Sequence, residues 1–217
     1  MNIFEAKAFL FDMDGVLVDN TRFHVLSWLE LSSKYNCALT EQQVIDWMGS
    51  PGREYVKRMF GQPDMPPDKV QVYLEEKEAL YRKMFAPHLV IPDGLRKLLD
   101  IAHSKDIRCA IATGGSRRNV DFVLDGLGIR DDFMCVLDAS RYERGKPFPD
   151  CYLQAAAAVE VAPADCIVIE DAINGIEAAR AANIPVIAKA GTNTRSVLVE
   201  AGARMVFDSF SELVSGI

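Results

Sequence analysis

The sequence predicts an α/β fold: a parallel sheet covered by helices on both faces, with an all-helical segment inserted after the first strand. Three observations predict it. Beyond residue 90, short apolar runs alternate with amphipathic stretches, the pattern of βαβ units. Those runs are nearly continuous in apolar residues, as strands buried on both faces require. Residues 20–90 instead carry helical periodicity.

The first strand is the run Ala8-Phe9-Leu10-Phe11, which ends in Asp12-Met13-Asp14-Gly15. The insertion follows. His24, Trp28, Leu31 and Tyr35 recur at i, i+4, i+7 and i+11, one stripe of a helix. Thr40-Glu41-Gln42-Gln43 has capping-box spacing for a second helix. Gly49-Ser50-Pro51-Gly52 breaks the chain, residues 61–67 break it again, and a long charged helix is expected over about 68–85. Pro87 and Pro92 mark the return to the α/β part. Later strands are expected over 108–113, 134–137, 166–170, 185–188 and 204–207, with helices over 94–105, 117–127, 149–159 and 175–182. The run Ala155 to Ala158 signals helix propensity. The predicted organisation is a core of residues 1–19 and 91–217 with a helical cap of residues 20–90.

Composition bounds the function. The 217 residues suffice for one large domain, or a core with a smaller partner domain. With 49% hydrophobic and 25% charged residues the chain reads as an ordinary globular protein. A net charge of −7 argues against nucleic-acid or anionic-membrane partners, so an anionic substrate needs locally placed cations. The five cysteines (Cys37, Cys109, Cys135, Cys151, Cys166) show no CxxC or zinc-ligand spacing and read as reduced thiols. The first residues lack a basic-then-apolar leader, and no apolar run reaches membrane-spanning length. A cytoplasmic monomer is expected.

Chemistry-bearing residues fall at the ends of the predicted strands. Asp12 and Asp14, two apart in a strand, are expected side by side at its C-terminal end, where open α/β sheets place their ligands. Crowded carboxylates repel unless a cation or a shared proton neutralises them. Taken alone, the pair also suits aspartates that merely cap a strand. Thr113-Gly114-Gly115-Ser116 offers a hydroxyl and backbone amides at a helix start, a place for phosphate, though a Gly-rich turn is often only a turn. Lys146 lies in Gly145-Lys146-Pro147-Phe148-Pro149, stiffened by two prolines. Glu170-Asp171 ends an apolar strand, an expensive place for an acidic pair without a cation; magnesium suits it. The joint pattern discriminates: each feature follows a successive parallel strand, so all gather at one sheet edge.

With these motifs the whole chain resembles the haloacid dehalogenase superfamily of phosphatases and phosphomutases, in the branch with a helical cap. That resemblance implies a Rossmann-like core and a Mg2+-dependent enzyme acting on a small phosphorylated metabolite, such as a sugar phosphate. It implies Asp12 as nucleophile and Asp14 as general acid/base, with Thr113 and Lys146 completing the catalytic set. Metal contacts fall on Asp12, the Asp14 carbonyl, Glu170 and Asp171. Phosphate contacts fall on Gly114, Gly115 and Asn119. The founding dehalogenases lack the second Asp of DxD, so its presence points to phosphoryl transfer. In the cap, the resemblance to β-phosphoglucomutases implies His24, Arg53 and Lys77 as substrate-binding residues. His24 also suits ordinary packing beside Trp28, and Lys77 suits a solvated face in Glu75-Glu76-Lys77-Glu78. The mutase loop reads GxSR, whereas Gly49-Ser50-Pro51-Gly52-Arg53 is one residue longer. That departure favours a sugar-phosphate phosphatase over a mutase. The cap is expected to act as a lid hinged near Asp19-Asn20 and Val90-Ile91.

Overall fold

A computed structural model describes residues 2–48 and 50–215. The chain opens with β1 (Ala8–Phe11) and continues through α1 (Thr21–Lys34), α2 (Glu41–Asp46), α3 (Gly52–Phe60) and α4 (Pro67–Phe85). Then come α5 (Leu95–Ser104), β2 (Arg108–Ala112), α6 (Arg117–Leu127), β3 (Cys135–Leu137) and α7 (Asp150–Ala158). The last elements are β4 (Cys166–Glu170), α8 (Ile173–Ala181), β5 (Val186–Lys189), α9 (Arg195–Ala201), β6 (Met205–Phe207) and α10 (Phe210–Val214). It divides into two compact units, residues 1–19 with 89–217, and Asn20–His88.

The larger unit is built on one six-stranded parallel sheet in the order β3-β2-β1-β4-β5-β6. Phe11 of β1 lies level with Ile111 on one side and Ile169 on the other. Strands β1 and β4 are buried along their whole length, which explains their unbroken apolar runs. Alternate residues serve opposite layers. Ala8, Leu10, Ala110 and Val168 join Tyr152, Ala155, Ala156, Ile176 and Ala179 of α7 and α8 in one cluster. Phe9 and Phe11 face the other way, edge to face at 6.2 Å, with Phe133 beyond at 5.6 Å from Phe11. Ala155 and Ala156 are thus more than helix formers, since their small side chains pack in the sheet-facing layer.

Three strand starts fall one residue later than the sequence suggests. Met134 and Arg204 reach the ladder only through single hydrogen bonds to the Cys109 and Val186 carbonyls (2.9 and 2.8 Å). Pro185, which has no N–H to give, contributes its carbonyl to Val168 N–H (2.8 Å). The short helices α9 and α10 went unforeseen because neither is long enough to show a helical repeat.

The smaller unit is helical. Val25, Trp28 and Leu31 of α1 pack with Val44, Tyr55, Val56, Met59 and Val70 from the other three helices. Thr40 makes the expected capping box with Gln43, Gly61 closes α3 in the left-handed region (φ 61°), and Pro67 opens α4 at its first position.

Candidate active site

The strand order reverses at β1 and β4: the chain winds outward from β1 to β3, then crosses to build β4 to β6. A crevice at such a switch point is where this architecture binds ligands. Asp12 follows β1 directly, its N–H donating to the Ile169 carbonyl (2.9 Å), which sets it beside the end of β4. The strand stops at Phe11, so Asp14 is placed by a turn and not by strand alternation, correcting the sequence expectation. Gly15 makes that turn at φ 79°, and its N–H reaches the Val18 carbonyl (2.8 Å). A Cβ on Gly15 would fall 2.0 Å from Asp171 Oδ2, so only glycine lets the turn and this carboxylate coexist. Asp14 still reaches the same edge. A Cβ built on Gly115 would meet Thr113 Oγ1 at 3.3 Å and Asp14 Oδ2 at 3.6 Å.

Asp12, Glu170 and Asp171, all buried, offer carboxylate oxygens within 4.8 Å of one another. Lys146 Nζ donates to Asp12 Oδ1 and to Glu170 Oε1, both at 2.6 Å. Glu170 Oε1 also accepts from Tyr152 OH (2.8 Å), and Oε2 accepts the N–H groups of Asp171 and Ala172 (2.8 and 3.0 Å). All four acceptor positions of Glu170 are therefore taken. Burial raises its pKa, but Lys146 and the two backbone donors outweigh burial and hold it below the ordinary value. Asp12 moves the other way. Burial, opposed by Lys146 and reinforced by Glu170 and Asp14, lifts it to about 7. Asp171 is raised well above the usual range by burial, then by Glu170 and Asp12. Lys146 would be lowered by burial, but the Asp12 and Glu170 charges hold it well above its ordinary value.

Three carboxylates against one ammonium leave an excess of negative charge in a buried space. Protons on Asp12 and Asp171 relieve it, or a hard divalent cation does. The all-oxygen donor set and the tight clustering fit such an ion, held by Asp12 and Asp171 with Glu170 adding charge. The last residue of β5 and the loop after it brace this group. Thr192 donates its hydroxyl to the Asp171 carboxylate, Asn193 Nδ2 donates to the Asp171 carbonyl (3.0 Å), and Lys189 Nζ reaches the Gly15 carbonyl (3.1 Å).

The segment after β2 forms the adjoining wall. Thr113 is fully buried, and its N–H donates to the Leu137 carbonyl (3.0 Å). Its Oγ1 accepts the Gly115 N–H (3.0 Å), which leaves the hydroxyl proton free to donate elsewhere. Of the two glycine amides expected to meet an anion, Gly115's is thus committed to Thr113. Ser116 caps α6, and Asn119 is buried in its first turn.

The smaller unit joins two of its three expected residues. Lys77 Nζ lies 2.7 Å from His24 Nδ1 and 3.0 Å from Glu78 Oε1, with the rings of Trp28 and Tyr81 at 5.4 and 5.6 Å. An ammonium only donates, so His24 Nδ1 accepts. His24 also stacks on Tyr81 at 4.0 Å. At 3% exposure Lys77 is no solvated surface lysine. Arg53, in the first turn of α3, is 69% exposed and pairs with neighbouring Glu54 at 3.8 Å, so it is not part of the His24–Lys77 pair. Gly49 of the Gly49–Arg53 loop lies outside the described residues.

Sequence reasoning missed Tyr142, Tyr152, Lys189, Thr192 and Asn193. None belongs to a short motif, and only the pairing of strands brings them to this edge. A separate shallow concavity between Arg180, Ile184, Pro185 and Arg204 lies at the opposite end of β5 and has no carboxylate in its wall.

Residues 9–189 match the family model described as haloacid dehalogenase-like hydrolase. The chain is 31% identical to a β-phosphoglucomutase of Bacillus subtilis (strain 168) over 82% of its own length and 80% of that protein's. It is also 31% identical to the fructose-1-phosphate phosphatase YqaB of Escherichia coli (strain K12), over 82% and 93%. Among solved structures, a family IA variant 3 hydrolase from Entamoeba histolytica aligns with a TM-score of 0.87 at 26% identity, covering 95% of this chain and 94% of that one.

Proposed function

Because the chain belongs to the haloacid dehalogenase-like hydrolase family, we propose that it is a magnesium-dependent phosphatase of small phosphorylated sugars, working through an aspartyl phosphate on Asp12. One observation carries this reading: Lys146 binds Asp12 and Glu170 at 2.6 Å each while Asp171 completes a buried carboxylate cluster. A nucleophile, a phosphate-binding cation and a divalent-ion site are what phosphoryl transfer requires together.

Asp12 attacks phosphorus, forming an O–P bond as the bond to the sugar oxygen breaks. Asp14 gives its proton to the departing alkoxide. Asp14 then takes a proton from water, whose oxygen attacks phosphorus and frees Asp12 and inorganic phosphate. Lys146, the Thr113 hydroxyl and the Gly114 N–H hold the charged oxygens, with Asn119 behind them. Magnesium, held by Asp12, the Asp14 carbonyl and Asp171 beside Glu170, would supply charge neutralisation at phosphorus. Residues 20–88 act as a cap, in which His24, Lys77 and Arg53 recognise the sugar.

A second reading is a β-phosphoglucomutase, favoured by equal identity to a mutase and a phosphatase and by the His24–Lys77 pair. The longer Gly49–Arg53 loop favours the phosphatase. Purified protein with magnesium should be given phosphorylated hexoses and pentoses and β-glucose 1-phosphate, with free phosphate and isomerised product followed separately. Phosphate release supports the phosphatase. Conversion to glucose 6-phosphate with little free phosphate supports the mutase, and neither product would refute both.

A further inference from the structure

The loop between β3 and α7 brings Lys146 to the carboxylates, and it also closes on the wall formed after β2. Tyr142 OH donates to the Thr113 carbonyl at 2.6 Å. The Ala139 N–H donates to the Gly115 carbonyl at 3.1 Å. These two contacts grip the Thr113-Gly114-Gly115 backbone from one side.

The consequence follows from peptide geometry. A trans peptide is planar, with its N–H antiparallel to the carbonyl of the residue before. Fixing the Thr113 carbonyl on Tyr142 therefore aims the Gly114 N–H the opposite way. That N–H has no hydrogen-bond partner among the described residues, whereas the Thr113 and Gly115 N–H groups are both committed. Gly114, with no Cβ, leaves φ on one side of this peptide plane permissive, so its rotation would otherwise meet little steric resistance there. Such a rotation would present a carbonyl oxygen in place of an N–H.

We propose that Tyr142 is a positioning residue whose hydroxyl locks the Thr113–Gly114 peptide so that the Gly114 N–H is available to the substrate phosphate. This rests on the reading of that segment as the phosphate cradle. Burial pushes the Tyr142 phenol above its ordinary value, which keeps it a donor at working pH. The ring also lies close enough to Lys146 and Asp12 to feel both charges. Tyr142 touches no reacting atom itself.

Tyr142→Phe keeps the ring and removes the hydroxyl. The measurements are KM and kcat on two substrates with different leaving groups, the inhibition constant of inorganic phosphate with magnesium, and the melting temperature. The expected result is a rise of roughly tenfold in both KM and the phosphate inhibition constant, the scale of one lost hydrogen bond to a charged group. The factor should be the same for both substrates. A tyrosine that serves only stability would lower the melting temperature and leave the phosphate constant where it was. An unchanged phosphate constant in a folded variant overturns the proposal, whatever happens to kcat. Should the variant not fold, the native protein decides through the Gly114 amide resonance in a phosphate titration with magnesium. A Gly114 shift that saturates with binding supports the inference, and an unmoved Gly114 refutes it. A native protein that neither binds phosphate nor cleaves a phosphoester overturns the functional reading as well. Native activity with an unaffected variant overturns this inference alone.

Discussion

Lys146→Met should destabilise the metal-free protein strongly at pH 8 and much less at pH 5.5. The lysine lies 2.6 Å from oxygens of both Asp12 and Glu170. At an effective dielectric constant of 20, each contact is worth roughly 6 kcal/mol of attraction, offset by the cost of burying the ammonium. Removing one partner of a buried pair leaves the other uncompensated, and the net loss is about 3–5 kcal/mol. Here two partners are stranded beside a third carboxylate. Without Lys146, burial and mutual repulsion should raise Asp12 further and push Glu170 upward in the folded state, which would then bind more protons than the unfolded chain. Stability falls as pH rises through those raised values, and it is fully present below the unfolded carboxylate range. Urea unfolding in chelator at both pH values measures this. Lys146→Met combined with Glu170→Gln should recover part of the loss, since one stranded charge is gone. A variant within about 1 kcal/mol of native at pH 8, or an equal loss at both pH values, would refute the charge argument.

Asp12→Asn should abolish turnover while retaining the native melting temperature, because the amide cannot attack phosphorus; appreciable turnover would exclude an aspartyl phosphate. Chelation should remove activity, magnesium restore it and calcium substitute poorly, as calcium favours more ligands in looser geometry. Magnesium affinity measured by calorimetry should strengthen as pH rises through about 7, because the ion competes with the proton on Asp12; a flat profile from pH 5.5 to 8 would contradict Asp12 as a ligand. On the phosphatase reading, Arg53→Ala should raise KM or alter sugar preference while a substrate with a good leaving group and no sugar is still cleaved. On the mutase reading it should end isomerisation and leave slow phosphate release.

The parallel sheet and its chemistry-bearing edge were legible because period and position carry that information locally. An apolar run such as Cys166-Ile167-Val168-Ile169 declares a buried strand, and an acidic pair at its end declares a charge that needs a partner. Successive strands in one sheet then bring Asp12, Thr113, Lys146 and Asp171 to the same side without further information. The placement of Asp14 was less legible. Strand alternation accounts for residues up to Phe11, and beyond that Gly15 and its fit against Asp171 set the path.

What the sequence did not disclose is how each charge is satisfied. Glu170 and Asp171 are adjacent and chemically alike, yet burial raises one while Lys146 and the backbone donors around the other lower it. That difference originates in Lys146, twenty-four residues upstream, and in the N–H groups of Asp171 and Ala172, which lead into α8 and both turn back to Glu170 Oε2. The same holds in the smaller unit, where Glu75-Glu76-Lys77-Glu78 resembles a solvated face but Lys77 turns inward to His24 and Trp28. Charge identity is local, whereas charge environment is tertiary. Residues that act through another residue's backbone or carboxylate, such as Tyr142 on Thr113 and Tyr152 on Glu170, therefore become visible only when the strands that carry them are paired.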